Sequence, residues 1–301
     1  FTSMNLDEKI ISALKDLDYA EATEIQKKAI PVALKKRDIL AAAQSGTGKT
    51  AAFLLPILTE LLEKKQENKT ILRALILVPT RELATQISKA VEDFSKYMDN
   101  ISSIAMVGGV SKKEQGKKII KGIDILVATS GRLMEHLKEK TVDLSSVTTV
   151  VIDEVDTMLD MGFLEDIEKI LPSVGPKRQI MMFSATMNQN VKKLAKEFLT
   201  DPVVIEVAQQ RSAVKIIDQQ IVLVDEANKA AALSYIIGSK NYPQVLVFVN
   251  MKIEADTLVQ HLELDGLTAG CIHGDVRQTA RAKVMRKFKA GEIRVLVATD
   301  I

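Results

Sequence analysis

A chain of 301 residues with 47% hydrophobic and 27% charged side chains is globular in composition and longer than one ordinary α/β domain requires. Lys and Arg number 41 against 39 Asp and Glu, a net charge of +2, so the chain is no polycation and any nucleic-acid contact must come from a local surface. The single cysteine, Cys271, rules out an internal disulfide, and with three unclustered histidines, His136, His261 and His273, a Cys/His zinc site is excluded as well.

In chain order, short apolar runs rich in β-branched residues alternate with longer amphipathic stretches. The runs fall at 38–42, 72–78, 101–107, 123–128, 147–152, 180–183 and 203–207. They lack the alternation of a half-wet strand, which predicts parallel strands covered on both faces. Helix-length segments at 50–65, 80–97 and 188–198 lie between them. Alternation at this spacing implies right-handed crossovers and a doubly wound sheet. The polar stretch 209–218 reads as a linker. Beyond it, strands are predicted at 220–224, 245–249, 267–272 and 293–298, with helices centred near Ala231, Ala255 and Val284. The expected organisation is α/β: a first domain over 1–208, the linker, and 219–301 as the N-terminal part of a second, incomplete domain. Cys271 ends a predicted strand and reads as an inert core thiol. No apolar run approaches the ~18 residues of a membrane span, and the first seven residues carry no basic or apolar targeting region. The expected setting is the cytoplasm or another reducing compartment, with no membrane partner.

The first chemistry-bearing segment, Ala43-Gln44-Ser45-Gly46-Thr47-Gly48-Lys49-Thr50, joins the first predicted strand to the first long helix. It matches the phosphate-loop pattern G-x-x-x-x-G-K-[ST] except for Ala43 at the first glycine. Gly46 and Gly48 let the backbone curl until successive N–H groups point inward around a phosphate, and the helix beginning near Lys49 adds its positive end. Lys49 would reach the β- and γ-phosphates, and the Thr50 hydroxyl would ligate Mg²⁺. A Gly-Lys-Thr turn can also be plain helix capping, but the flanking strand and helix argue for the phosphate loop. About a hundred residues later, Val150-Val151-Ile152 runs into Asp153-Glu154-Val155-Asp156. Strand C-termini line the ligand crevice of an open α/β sheet. Asp153 can hold Mg²⁺ through water, and Glu154 can orient or deprotonate the attacking water. The alternative is a solvated acidic turn capping the next helix. No guanine-specifying Asn-Lys-x-Asp is present, and a small-molecule kinase would not need a second domain of the same type. The combination points to a nucleoside triphosphate held with Mg²⁺ and hydrolysed by an in-domain base; ATP as that nucleotide is what the resemblance below implies.

In this order the motifs resemble the DEAD-box family of superfamily 2 RNA helicases, from Phe1 to the end of the chain. The resemblance implies two RecA-like domains. Val155 stands where the family usually has alanine, a packing adjustment that leaves both carboxylates in place. The segment Asp18 to Gln26 is similar to the family's adenine-reading motif, with Asp18 for the usual glycine and Ala22 for the usual proline. By that likeness the Gln26 amide pairs with the adenine edge, Tyr19 stacks on the base and Phe1 supports the loop. Pro79-Thr80-Arg81, Gly108-Gly109 and Thr129-Ser130-Gly131-Arg132 match three RNA-contact motifs, with Ser130 replacing a usual proline. All follow strand ends, where backbone N–H groups, hydroxyls and arginines suit phosphate and 2′-OH contacts that carry no base sequence. Thr80 and Thr129 read equally well as helix N-caps. Ser184-Ala185-Thr186 resembles the hydroxyl link between the acidic motif and RNA-bound closure, with Ser184 expected to pair with Asp156. His273-Gly274-Asp275, Gln278 and Arg281 are similar to later motifs. At Thr299-Asp300 the threonine would touch RNA and the aspartate the nucleotide ribose. Lys112-Lys113 and Lys117-Lys118 share one predicted helix and read as its solvated face.

The resemblance implies an ATP-dependent RNA helicase that couples ATP binding and hydrolysis to RNA clamping and local unwinding. The family's arginine-finger motif does not occur in the chain, so poor hydrolysis is expected of it. A superfamily 2 translocase acting on DNA and an ATP-gated RNA clamp are the competing readings.

Overall fold

The computed structural model describes residues 1–44, 46–63, 71–99, 101–207 and 218–299. Ser45, Asp300, residues 64 and 65 of a predicted helix and positions 209–217 of the predicted linker therefore lie outside the described residues. The chain divides into two compact units, Phe1–Arg211 and Ser212–Ile301, and each is taken by itself.

The first unit opens with α1 (Glu8–Asp16) and α2 (Glu24–Leu34). There follow β1 (Ile39–Ala42), α3 (Lys49–Glu63), β2 (Ala74–Val78), α4 (Arg81–Phe94), β3 (Ser103–Met106), α5 (Lys112–Ile120), β4 (Ile125–Thr129) and α6 (Ser130–Lys138). The unit continues through β5 (Thr149–Ile152), α7 (Val155–Asp160), α8 (Leu164–Ile170), β6 (Gln179–Ser184), α9 (Gln189–Phe198) and β7 (Val203–Glu206). The seven strands form one sheet in the order β3-β4-β2-β5-β6-β1-β7, and every pairing is parallel.

The central strands are apolar along their middles because both faces are dry, with polar residues such as Thr149, Gln179 and Ser184 at their ends. Ile39, Ile76, Val127, Val151 and Phe183 join one core with residues of α1 to α4. Leu40, Leu75, Leu77, Leu126, Val150 and Met182 join the other with residues of α6 to α9. The period of two therefore survives, but it alternates between two interiors. The helices between are amphipathic in the usual register. In α4 the buried positions are Ala84, Ile87, Val91 and Phe94, and Thr80 caps the start by accepting a hydrogen bond from Leu83 N at 3.2 Å. Buried Asp38 holds the sheet's far end, accepting from Ile180 N at 2.8 Å and Thr200 N at 2.7 Å.

The second unit contains α10 (Lys229–Ser239), β8 (Val245–Phe248), α11 (Lys252–Leu264), β9 (Ala269–Ile272), α12 (Gln278–Lys289) and β10 (Val295–Ala298). Its described strands pair in the order β8-β10-β9, again parallel. Ile237, Ala255, Leu262, Leu267, Val295 and Val297 form the core on one face. Two expectations need correcting here. Residues 220–224 are not a strand, and Ile221 and Leu223 are 90% and 92% exposed. Apolar β-branched composition describes fitness for a pleated surface, and no described strand offers this run a ladder. Coverage on both faces also fails at β7, the edge strand of the first sheet, where Val204 is 56% exposed.

Candidate nucleotide and nucleic-acid site

In a parallel sheet, every strand's C-terminus opens on the same edge, and the motif residues of the first unit follow from that. The turn after β1 leads into α3 and carries the phosphate-loop sequence. Its two glycines adopt left-handed backbone, φ +80° at Gly46 and +92° at Gly48, a region costly for other residues. Gly48 has a second constraint, because a Cβ there would sit 2.3 Å from Gln26 Nε2. Gln44 and Thr47 close the turn: the Thr47 hydroxyl donates to Gln44 O at 2.6 Å, and Thr47 N to the same oxygen at 3.4 Å. Thr50 is half-buried in the first turn of α3.

Lys49 is buried, and its ammonium has no hydrogen-bond partner among the described residues. Its nearest opposite charge is Asp153 Oδ1, 4.0 Å away at the end of β5. Burial pushes the Asp153 carboxyl up to about 6, Lys49 pulls the other way, and the Glu154 charge adds to the rise. The next residue, Glu154, is in left-handed backbone at φ +53°, and its N–H donates to Asp153 Oδ1 at 2.9 Å. Such a conformation costs a non-glycine residue on the order of 1–3 kcal/mol and is concentrated at functional sites. It turns the chain sharply into α7, leaving Glu154 half-buried beside buried Asp153. A buried cation with spare donors, a loop curled by two left-handed glycines and two carboxylates alongside fit a triphosphate carrying Mg²⁺.

Asp156 lies in the first turn of α7 and meets the loop after β6. Its Oδ2 accepts from Thr186 N at 2.9 Å and from the Thr186 hydroxyl at 3.0 Å. Burial acts to raise the Asp156 carboxyl, but the bonds from Thr186 and Ser184 outweigh it and hold the group below the usual carboxylate range. The pairing is therefore led by Thr186, not by Ser184 as expected. Ser184 is the last residue of β6 and fully buried, whereas Thr186 stands two residues beyond the strand and reaches α7 with both side chain and backbone.

The remaining sequence-derived residues are placed as follows. Gln26 is buried and committed to protein: its carbonyl accepts from Thr23 N at 2.9 Å and its NH₂ donates to Gly48 O at 3.1 Å. It is thus a tie between α2 and the phosphate loop, with part of its amide left over. Tyr19 is 39% exposed, its ring edge-on to Phe94 at 5.7 Å and 6.5 Å from Phe1. Phe94 escaped sequence reasoning because it reads as an ordinary core position of α4. Pro79 is buried, and Arg81 lies against Gly108, where an added Cβ would be 3.0 Å from its Nη2. Gly109 is exposed with φ +76°. Thr129 precedes α6 without a side-chain capping bond, unlike Thr80. Exposed Gly131 leads to Arg132, which donates to Val110 O at 3.2 Å and to Gln115 Oε1 at 3.5 Å. Gln115 in turn donates to Val107 O at 3.0 Å. The three loops are therefore knitted together by Arg81, Arg132 and Gln115. Gln115 carries no motif signal. In the second unit Thr299 is buried, with its N–H on Ile272 O at 3.2 Å. Arg281 donates to Gly274 O and Val276 O at 3.1 and 2.9 Å, clamping the turn after His273.

Strand order sorts these loops into two groups. Those after β5, β6 and β1 carry the acidic motif, Thr186 and the phosphate loop, while those after β3, β4 and β2 carry the glycine pair, Arg132 and Arg81. A phosphate-loop α/β protein with RecA-like domains is the class this fold defines. The DEAD/DEAH box helicase family matches residues 23–194, and the helicase conserved C-terminal domain matches 228–301. Relatives spanning all of the chain include the ATP-dependent RNA helicase CshA of Listeria monocytogenes, 39% identical, and the DEAD-box ATP-dependent RNA helicase CshA of Bacillus subtilis, 38% identical. The chain spans 57% and 60% of their respective lengths. Among solved structures, a DEAD box protein from the hyperthermophile Methanococcus jannaschii is 37% identical with a TM-score of 0.64, over 100% of this chain and 80% of that one. S. cerevisiae Dbp5 bound to RNA and ADP BeF3 is 27% identical with a TM-score of 0.87, over 99% and 75%. The chain belongs to the DEAD-box helicase family.

Proposed function

We propose that the protein is an ATP-dependent RNA helicase in which ATP binding and hydrolysis drive RNA clamping and local duplex unwinding. The observation that carries the nucleotide half is the Lys49 ammonium, buried and without a hydrogen-bond partner among the described residues, 4.0 Å from Asp153. Leaving a buried charge so poorly paired costs several kcal/mol, and the β- and γ-phosphates of ATP offset it. On this reading the backbone of Gln44 to Gly48 cradles the phosphates, and Lys49 neutralises them. Thr50 and, through water, Asp153 hold Mg²⁺, which supplies charge neutralisation of the phosphate oxygens when bound. Glu154 orients the attacking water and takes its proton. Tyr19, Phe1 and Gln26 face the base side, the last acting partly through Gly48, and Asp300 is assigned to the ribose.

Asp156 with Ser184 and Thr186 would couple nucleotide state to RNA. The loops carrying Pro79, Thr80, Arg81, Gly108, Gly109, Thr129, Gly131 and Arg132, with Thr299 of the second unit, would follow an RNA backbone without reading bases. Support for RNA comes from family membership, from the names of the CshA relatives and from the Dbp5 neighbour bound to RNA. No helix among the described residues is long and apolar enough to cross a membrane.

The test is a titration with fluorescent ATP and Mg²⁺, alone and with single-stranded RNA or DNA of one sequence. Saturable binding that Lys49→Ala abolishes, and that RNA strengthens more than DNA, is expected. Binding unaffected by Lys49→Ala sinks the nucleotide assignment. Equal enhancement by DNA turns the reading to a translocase.

A further inference from the structure

Residues 271 and 273 share a face as β9 runs out, since side chains alternate along a strand. That face looks onto α11, where Asp256 stands in the second turn. The Cys271 thiol donates to Asp256 Oδ1 at 3.2 Å. The same oxygen lies 3.2 Å from His273 Nε2. The three donor atoms, one sulfur, one nitrogen and one oxygen, lie within 4.8 Å of one another. Zinc bonds of ~2.0–2.3 Å in tetrahedral geometry place neighbouring donors roughly 3.3–3.7 Å apart. The cluster therefore already has nearly the required spacing.

We propose that Asp256, Cys271 and His273 form a binding site for a borderline-soft divalent cation, with Zn²⁺ the best fit and water in the fourth position. The donor set decides the class of ion. Mg²⁺ and Ca²⁺ require mostly oxygen ligands, and the site offers one carboxylate. Thiolate plus imidazole selects zinc and its neighbours. Burial is graded to suit: His273 is buried and fixed, Cys271 is half-buried, and the Asp256 side chain is 51% exposed, so an ion has a way in and a carboxylate able to adjust.

On binding, sulfur–metal, nitrogen–metal and carboxylate oxygen–metal bonds form as the hydrated ion releases all but one of its waters. The thiol proton leaves to solvent, and the imidazole proton that Nε2 shares with Asp256 passes to Nδ1, which has no partner among the described residues. The nearby cation Lys252 does not repel the ion as a free charge, because its ammonium is paired with Asp275 at 2.7 Å. The cation would staple α11 to the end of β9 and fix the His273-Gly274-Asp275 turn. The count of cysteines and histidines misses this site because its third ligand is a carboxylate 15 residues before the cysteine.

Cys271 is the chain's only cysteine, which makes the test unambiguous. The intact, reduced 301-residue chain is titrated with Co²⁺ and its absorption followed. A thiolate-to-cobalt charge-transfer band saturating at one equivalent, and bleached by one equivalent of Zn²⁺, is expected. It should vanish in Cys271→Ser, and Asp256→Asn should weaken Zn²⁺ binding by more than about tenfold, with ATP binding unchanged in both. Should the serine variant misfold, Cys271→Ala replaces it. Absence of the band, or undiminished affinity in both Asp256→Asn and His273→Gln, overturns the site as an isolated thiol binding metal adventitiously.

Discussion

Gly48 is held to glycine twice over, by a φ of +92° and by a Gln26 nitrogen only 2.3 Å from where a Cβ would stand. Gln26 cannot give way cheaply, being buried and bonded at both ends to Thr23 and Gly48. Gly48→Ala should therefore spoil the phosphate loop and the base-side tie together, weakening Mg–ATP binding by more than about tenfold, with backbone strain alone contributing ~1–2 kcal/mol; calorimetric titration checks this. A second residue, His136, is buried with its Nδ1 2.6 Å from the Thr141 hydroxyl. Burial, with the charges of Lys112 and Arg132, lowers its pKa from 6.5. The folded chain thus favours neutral imidazole, while the unfolded chain takes up a proton as pH falls through 6.5. The associated stability is full above that pH and is lost below it, at up to about 1.4 kcal/mol per unit. Denaturant melts between pH 7.5 and 5.5 should show a drop for the parent that is smaller in His136→Gln. Parallel slopes for the two proteins would refute this role.

At the scale of elements, Thr80 and Thr129 had equal claims as helix caps on sequence. Thr80 caps α4 with a 3.2 Å bond, whereas Thr129 makes no capping bond at α6. The two cap positions differ in backbone, φ −124° at Thr80 and −81° at Thr129, which residue type does not encode. Thr80→Ala should destabilise the first unit by about 1 kcal/mol, and Thr80→Ser should restore most of it. Chemical denaturation reads both, and a neutral alanine variant would remove the cap from the account. Asp18, standing at the usual glycine, has φ +58°, so the chain keeps a left-handed turn there with a residue other than glycine. Helix and strand positions were legible to within a few residues because burial on one helical stripe, or in two dry sheet faces, leaves periods of 3.6 and 2. Residues 220–224 misled because the same period says nothing about whether a partner edge exists.

At the scale of the whole molecule, the two units differ in how they are held. The first packs helices on both faces of its sheet around two extensive cores. Among the described residues of the second, the core cluster is much smaller, and Leu246 and Phe248 stand open. Calorimetry should resolve two transitions, the lower belonging to the second unit. A ligand stabilises only what it binds, so if the residues of the first unit suffice for ATP, Mg–ATP should raise the upper transition. One cooperative transition would contradict this. By itself, the sequence determined the α/β class, the order of elements and the motif-bearing strand ends, since local periodicity and Gly-, Lys- and Asp-containing turns are written in neighbouring residues. Only the tertiary structure decided that Thr186 leads the pairing with Asp156, that Gln26 ties down the phosphate loop, and that Asp256, Cys271 and His273 converge. Those contacts join residues distant in the chain, and their geometry depends on strand order and helix packing, which no short-range pattern carries.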